Sequence, residues 1–308
     1  MSLADLVLLI ANAVYSTSYV ASRVVLAEVP PATLALVRLV IGAAILALAC
    51  RGRLALRRHP VSRADRWRIA GMGIIGFAGA FALSHWGIVR STATNAALLI
   101  IVEPVSVLLL APPLLGERMT RPEAVGAALA LMGTVLVVVN GVPGLSERLV
   151  PHWRGDALLI LAGIAYGSYS LLGRDVLRRH DPLRVTAQSI LWGVLAMAPV
   201  AALEMPVVVD WSARLLLGVA YLAVVITALG YLAWNWALAR IPATRAAVFL
   251  TLQPVLGALL GIAFLGEAFT AFTALGGALI VLGLIITVRR PAPTGDARRD
   301  GAPRRERR

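Results

Sequence analysis

The chain contains no lysine, a single cysteine (Cys50) and only four histidines (59, 85, 152 and 180), and 15% of its 308 residues are charged. Without lysine there is neither a Walker-type phosphate loop nor a Schiff-base mechanism. One cysteine permits no internal disulfide and no cysteine-based metal cluster. The histidines form no HExxH and no close pair, so neither a metal site nor a cofactor is expected. Acidic residues are scarce too, 16 against 29 arginines, which leaves a formal net charge of +13. No basic stripe is interleaved with base-stacking aromatics, so nucleic acid is not the expected partner. Typical globular chains carry about 25% charged residues and about 45–50% apolar ones. This chain could not cover a soluble surface, and the same composition excludes disorder and a collagen-like fibre.

What it has in abundance is apolar sequence, 59% of residues, with a mean hydropathy of +0.82. A hydrocarbon core of ~30 Å needs about 20 such residues of helix. Ten runs qualify: 3–22, 32–50, 69–89, 93–114, 123–140, 156–173, 184–204, 213–236, 243–265 and 271–288. The pattern predicts an all-α integral membrane protein with ten transmembrane helices. The first run lacks a basic leader and carries Asp5, so it reads as a retained helix and not a cleaved signal.

The arginines cluster at 51–68, 174–184 and 289–308, between the apolar runs. With the amino terminus inside, 23 of them fall in inner loops and tail. Five fall outside (Arg23, Arg90, Arg148, Arg154 and Arg214), and Arg38 lies within a run. The positive-inside rule then puts both termini in the cytoplasm of a bacterial-type inner (plasma) membrane. Trp67, Trp153 and Trp211 precede helices, as interfacial belt residues do. Residues 291–308, rich in Arg, Pro and Gly, read as a disordered basic cytoplasmic tail that touches anionic lipid.

An internal repeat appears at an offset of 150 residues. The stretch STATNAALLIIVEPVSVLLLAPPLLGERMT from Ser91 aligns without a gap on IPATRAAVFLTLQPVLGALLGIAFLGEAFT from Ile241. Matched pairs include Arg90/Arg240, Thr94/Thr244, Pro104/Pro254, Glu117/Glu267, Gly126/Gly276 and Gly133/Gly283. At an offset of 151, Tyr15/Tyr166, Arg23/Arg174 and Pro31/Pro182 also match. The expected units are a five-helix repeat over 1–140, a periplasmic linker over 141–155 and a second five-helix repeat over 156–290. Five is odd, so the second repeat must cross the bilayer in the opposite sense. Inverted repeats of this kind are a recurrent device of secondary transporters.

The paired blocks Ala93–Glu117 and Ala243–Glu267, each followed by a glycine-spaced helix, resemble the EamA-type members of the drug/metabolite transporter superfamily. PATLALVRLV from Pro31 looks like that family's second helix. The resemblance spans residues 3–290. It implies a ten-helix transporter, usually an exporter of amino acids or related metabolites, with a central cavity between the repeats. Glu117 and Glu267 look like the family's helix-end glutamates.

An ionisable residue inside a span is a functional candidate by default. Arg38 lies ~10 Å along its helix from Pro31, and Glu103 lies ~15 Å into its own, both counted from the outer face at 1.5 Å per residue. In one reading Arg38 holds a substrate carboxylate and Glu103 couples protons or binds an amine. In the other they neutralise each other, or Arg38 snorkels to the headgroups. The repeat sets Gln253 opposite Glu103 and Ser189 opposite Arg38. Pro104 and Pro254 deprive the carbonyls of Ile100 and Leu250 of their usual donors, giving either cavity-lining kinks or packing kinks. Asn12, Tyr15, Ser16 and Tyr19 share one helix face, as do Tyr166, Tyr169 and Ser170. Ser84-His85-Trp86 corresponds to Trp234-Asn235-Trp236, which reads as an aromatic-walled pocket or as core. His85 alone reads better as a hydrogen-bonded structural residue than as a proton relay. Thr120 to Glu123 fits a capping box, and the region around Glu117 and Glu267 reads as structural. Gly126, Gly133, Gly276 and Gly283 permit close helix approach.

The sequence thus predicts a secondary transporter, not an enzyme, moving a small metabolite outward by alternating access. Its partners would be membrane lipid and a small-molecule substrate, with proton coupling or none, as monomer or homodimer. The alternatives are a lipid scramblase or flippase, or a drug-efflux carrier, on the same scaffold. An intramembrane enzyme is a distant third: the aspartates fall at span ends or in loops, and adjacent Ser84 and His85 do not face each other.

Overall fold

A computed structural model describes residues 2–51, 61–115, 121–139, 152–207, 209–240, 249–250 and 252–288. Among them ten helices stand where ten spans are expected. The first repeat supplies α1 (Leu3–Val25), α2 (Pro31–Arg51), α3 (Arg63–Arg90), α4 and α5 (Arg121–Val139). α4 is broken into Ala93–Leu99 and Val102–Leu115. The second supplies α6 (Trp153–Arg179), α7 (Pro182–Ala202), α8 (Ala213–Leu238), α9 (Leu252–Leu265) and α10 (Ala271–Val288). Six of these (α1, α2, α3, α6, α7 and α8) are long and apolar enough to cross a membrane, and the rest are shorter apolar helices.

Helix starts are set by caps. Ser2 and Asp5 form a reciprocal capping box on α1, and Asp181 caps α7. Ser62 and Ser212 cap α3 and α8 through the backbone N–H three residues on, a repeat-related pair. The Ser62 cap starts α3 six residues before the apolar run does. Trp67 therefore lies within α3, and Trp153 is the first residue of α6; Trp211 alone precedes its helix. The run expected from 243 is described as helix at 249–250 and from Leu252. The 120–123 capping box, Glu117, most of the 141–155 linker and the 291–308 tail lie outside the described residues.

The repeats pack against each other through equivalent surfaces. α5 crosses α10 at glycine: a Cβ on Gly133 would stand 2.5 Å from the Gly276 carbonyl oxygen, and one on Gly276 2.7 Å from that of Gly133. Gly283 meets the Gly126 carbonyl in the same way. Residue 133 on 276 and 126 on 283 means that the two helices run antiparallel. This is the relation that two inverted five-helix repeats require, and only backbone without side chains can come so close. α3 and α8 each contain a wider π-helical stretch, Met72–Gly79 and Tyr221–Gly230, at repeat-equivalent positions. The sequence reading did not anticipate these.

Replacing Gly133 with leucine should overpack the α5–α10 crossing and cost about 1–3 kcal/mol. Thermal unfolding in detergent should show a lower midpoint. Gly277→Ala, whose Cβ would meet the flexible Leu98 side chain at 3.3 Å, should stay near the parent.

Candidate functional site

Seven helices (α1 to α4, α6, α8 and α9) surround a central cavity with about 90 Å³ of room for the centres of water-sized molecules. No lining residue comes from α5, α7 or α10. A cavity of this size holds several waters or part of a small solute. Seven of the expected site residues line it: Arg38, Glu103, Gln253, Tyr15, Tyr166, Tyr169 and His85.

Arg38 projects from α2 and is 5% exposed, which removes the snorkelling reading. Its Nε donates to Thr227 Oγ1 at 3.2 Å, and its Nη1 to His85 Nε2 at 2.9 Å. The guanidinium carbon sits 4.5 Å from the centre of the Phe81 ring. The other His85 nitrogen, Nδ1, faces the Pro31 carbonyl at 3.0 Å. A carbonyl only accepts and a guanidinium only donates, so Nδ1 carries the proton and Nε2 accepts. Both ring nitrogens are committed to holding Arg38 in place. Thr227 in turn donates to the Leu222 carbonyl five residues back, inside the π-helical stretch of α8.

Glu103 is not paired with Arg38. Its carboxylate accepts from Ser170 of α6 at 3.3 Å, and among the described residues neither charge forms an ion pair. Glu103 follows the break in α4. Pro104 brings no N–H to the Ile100 carbonyl, but the Glu103 N–H reaches it at 2.9 Å in a tighter turn. The Ile100 carbonyl is therefore satisfied by backbone and not left to cavity water. Gly163 of α6 allows the close approach at this bend, since a Cβ there would come within 2.8 Å of Val102.

Gln253, the repeat counterpart of Glu103, is tied at both ends of its amide. Tyr19 donates to its Oε1 at 3.0 Å, and its Nε2 donates to Asn12 Oδ1 at 2.7 Å. Asn12 thus stands behind the cavity wall. Asn235 does likewise: it donates to the Tyr169 hydroxyl at 2.6 Å and to Thr186 at 2.7 Å. Of the two segments read as a pocket wall or as core, Ser84, His85 and Trp234 line the cavity, whereas Trp86 and Trp236 do not. Their carbonyls accept from Arg90 (3.1 Å) and Arg240 (2.7 Å), and Arg240 also stacks on the Trp236 ring. This matched pair finishes two helices. The aromatic wall also takes in Phe81 and Tyr231, a repeat pair that sequence reasoning missed. With Tyr15, Tyr166, Tyr169 and Phe77 they form edge-on and tilted ring contacts, the closest being Phe77–Tyr231 at 4.7 Å.

Asp156, expected at a span end, is fully buried in the first turn of α6. It accepts from Ser91 and from Asn95 at 3.1 Å. No cluster of three potential metal ligands occurs among the described residues.

Ten helices in two inverted repeats around a cavity with buried, unpaired charge define a membrane carrier. The chain belongs to the EamA-like transporter family, whose profile matches residues 2–139 and 153–289. An uncharacterized protein of Pseudomonas aeruginosa is 35% identical over 272 residues, 86% of each chain. A probable terminal-alkyne amino-acid exporter of Streptantibioticus cattleyicolor is 29% identical over 276 residues, 90% of each chain. A probable amino-acid metabolite efflux pump of Salmonella typhimurium is 25% identical over 186 residues, 56% of this chain and 59% of its own. A crystal structure 23% identical in sequence superposes with a TM-score of 0.67, covering 93% of this chain and 97% of the other.

Asn12→Ala would strand the Gln253 amide in a buried site at about 1–3 kcal/mol. Its melting midpoint should fall, whereas Ser168→Ala, whose hydroxyl donates back to the Ile164 carbonyl of its own helix, should leave the midpoint unchanged.

Proposed function

We propose that this transporter exports a small zwitterionic metabolite of the amino-acid class by alternating access, with both termini cytoplasmic. The observation that carries the reading is the pair of opposite charges lining one cavity, Arg38 from α2 and Glu103 from α4, neither neutralised by the other. A charge buried without a counter-ion is costly, and a ligand that brings the missing charge recovers that cost. A carboxylate suits Arg38, whose guanidinium His85 and Thr227 already orient. An ammonium, or a transported proton, suits Glu103. The tyrosines and Phe81 between them suit an apolar or aromatic side chain. The two relatives named as amino-acid or metabolite exporters support the same substrate class and an outward direction. The arginine distribution supports the orientation, with residues 141–155 as an outer linker and 291–308 as an inner tail.

The test is efflux of labelled amino acids from proteoliposomes, with and without a pH gradient. Saturable efflux is expected; no efflux of any amino acid would overturn the reading. Arg38→Ala should raise KM about 10- to 100-fold for the amino acid, the loss of a charge-assisted hydrogen bond. It should leave uptake of the corresponding decarboxylated amine little changed. Glu103→Gln should abolish the response to the gradient, and an unchanged pH profile would remove Glu103 from coupling.

A further inference from the structure

The first half of α4 is short, and every residue from Ala93 to Leu99 is buried. Its amino end is gripped by two carboxylates, both from the second repeat. Glu267, in the α9–α10 connection, accepts the backbone N–H groups of Ala93 and Thr94, each at 2.7 Å. Asp156, in the first turn of α6, accepts from the side chains of Ser91 and Asn95. Within a few residues of these contacts along α3, α4 and α6 come Ile88, Ala96 and Leu159, cavity-lining residues exposed by only 2%, 3% and 5%. Their side chains are apolar and packed at the end of the cavity-lining segments nearest the start of α4. The carboxylates take up the free N–H groups and positive dipole of a helix start, so their bonds are charge-assisted. They join the repeats without using the cavity itself.

We infer that Glu267 and Asp156 form an inter-repeat clasp that closes the cavity at the α4 end, and that this end opens when the clasp releases the amino end of α4. The inference rests on the alternating-access reading, but its test measures access and not transport. Cysteine is placed at Ala96 in a Cys50→Ala background, and its reaction with a membrane-impermeant maleimide is followed in right-side-out and inside-out vesicles. In the parent background Ala96→Cys should react slowly. Glu267→Gln keeps the side-chain volume but removes the charge and turns an amide N–H toward the backbone donors. It should raise the labelling rate about tenfold, the population shift that weakening such bonds produces. Asp156→Asn should act in the same direction. A rise in right-side-out vesicles supports both the clasp and the proposed orientation. A rise confined to inside-out vesicles supports the clasp and overturns the orientation. No rise from either face, in either variant, overturns the clasp. Met197→Cys, in the core at 1% exposure, reports unfolding. If it reacts in one variant, the other variant decides.

Discussion

Hydrocarbon offers no hydrogen bonds, so each place where a helix starts, bends or widens within the bundle must be satisfied by the protein itself. At four such points the structure shows the specific side chain or tightened turn that meets this constraint. The Pro104 bend closes on the Glu103 N–H. The start of α2 is held by Glu204, whose carboxylate accepts from the backbone of Ala32 and Thr33 and from the Thr33 hydroxyl. The start of α4 is held by Glu267. The π-helical stretch of α8 is braced by Thr227, which passes the constraint on to Arg38. At the starts of α2 and α4 the satisfying carboxylate comes from the opposite repeat. Backbone satisfaction and repeat docking are therefore the same set of bonds, and moving one repeat against the other necessarily changes how helix ends are capped.

Inverted duplication explains why such bonds come in related sets. Ser62 and Ser212 cap α3 and α8, and Arg90 and Arg240 finish the same two helices. The link from α3 to α2 runs from His85 to the Pro31 carbonyl. Its counterpart from α8 to α7 runs from Asn235 through Thr186 to the Pro182 carbonyl. The scaffold is kept symmetric where it carries packing, while its chemistry is free to diverge.

The long-range plan was legible because it depends on periodicities within one chain. Ten apolar runs give the helices, and the offset of 150 gives both the repeat and the Gly126/Gly276 and Gly133/Gly283 contacts. Arg38, Glu103 and Gln253 were legible because charge and amide in an apolar run are conspicuous. The π-helical stretches were not, since glycine and branched apolar residues fit an α-helix equally well. Phe81 and Tyr231 were not legible because an uncharged aromatic residue within an apolar run reads as core. The clasp residues Asp156 and Glu267 sit at helix ends, where a carboxylate ordinarily meets water. Only the tertiary arrangement shows that each is turned inward onto α4.

The divergence is sharpest at Glu103 and Gln253. Each receives a hydroxyl from the equivalent place on the facing helix, Ser170 for one and Tyr19 for the other. Behind Gln253 stands Asn12, which accepts the amide N–H and closes the network. The position equivalent to Asn12 is Gly163, which carries no polar side chain and instead lets α4 approach. The neutral half-site is thereby held by the protein through both amide atoms, whereas among the described residues the acidic half-site has one short-armed hydroxyl. A carboxylate accepts up to four hydrogen bonds, so Glu103 retains capacity that only a solute, a proton or water can fill. Two helix pairs of common origin thus take different roles: α1 with α9 is a tied strut, and α4 with α6 is the wall where binding changes the balance of charge.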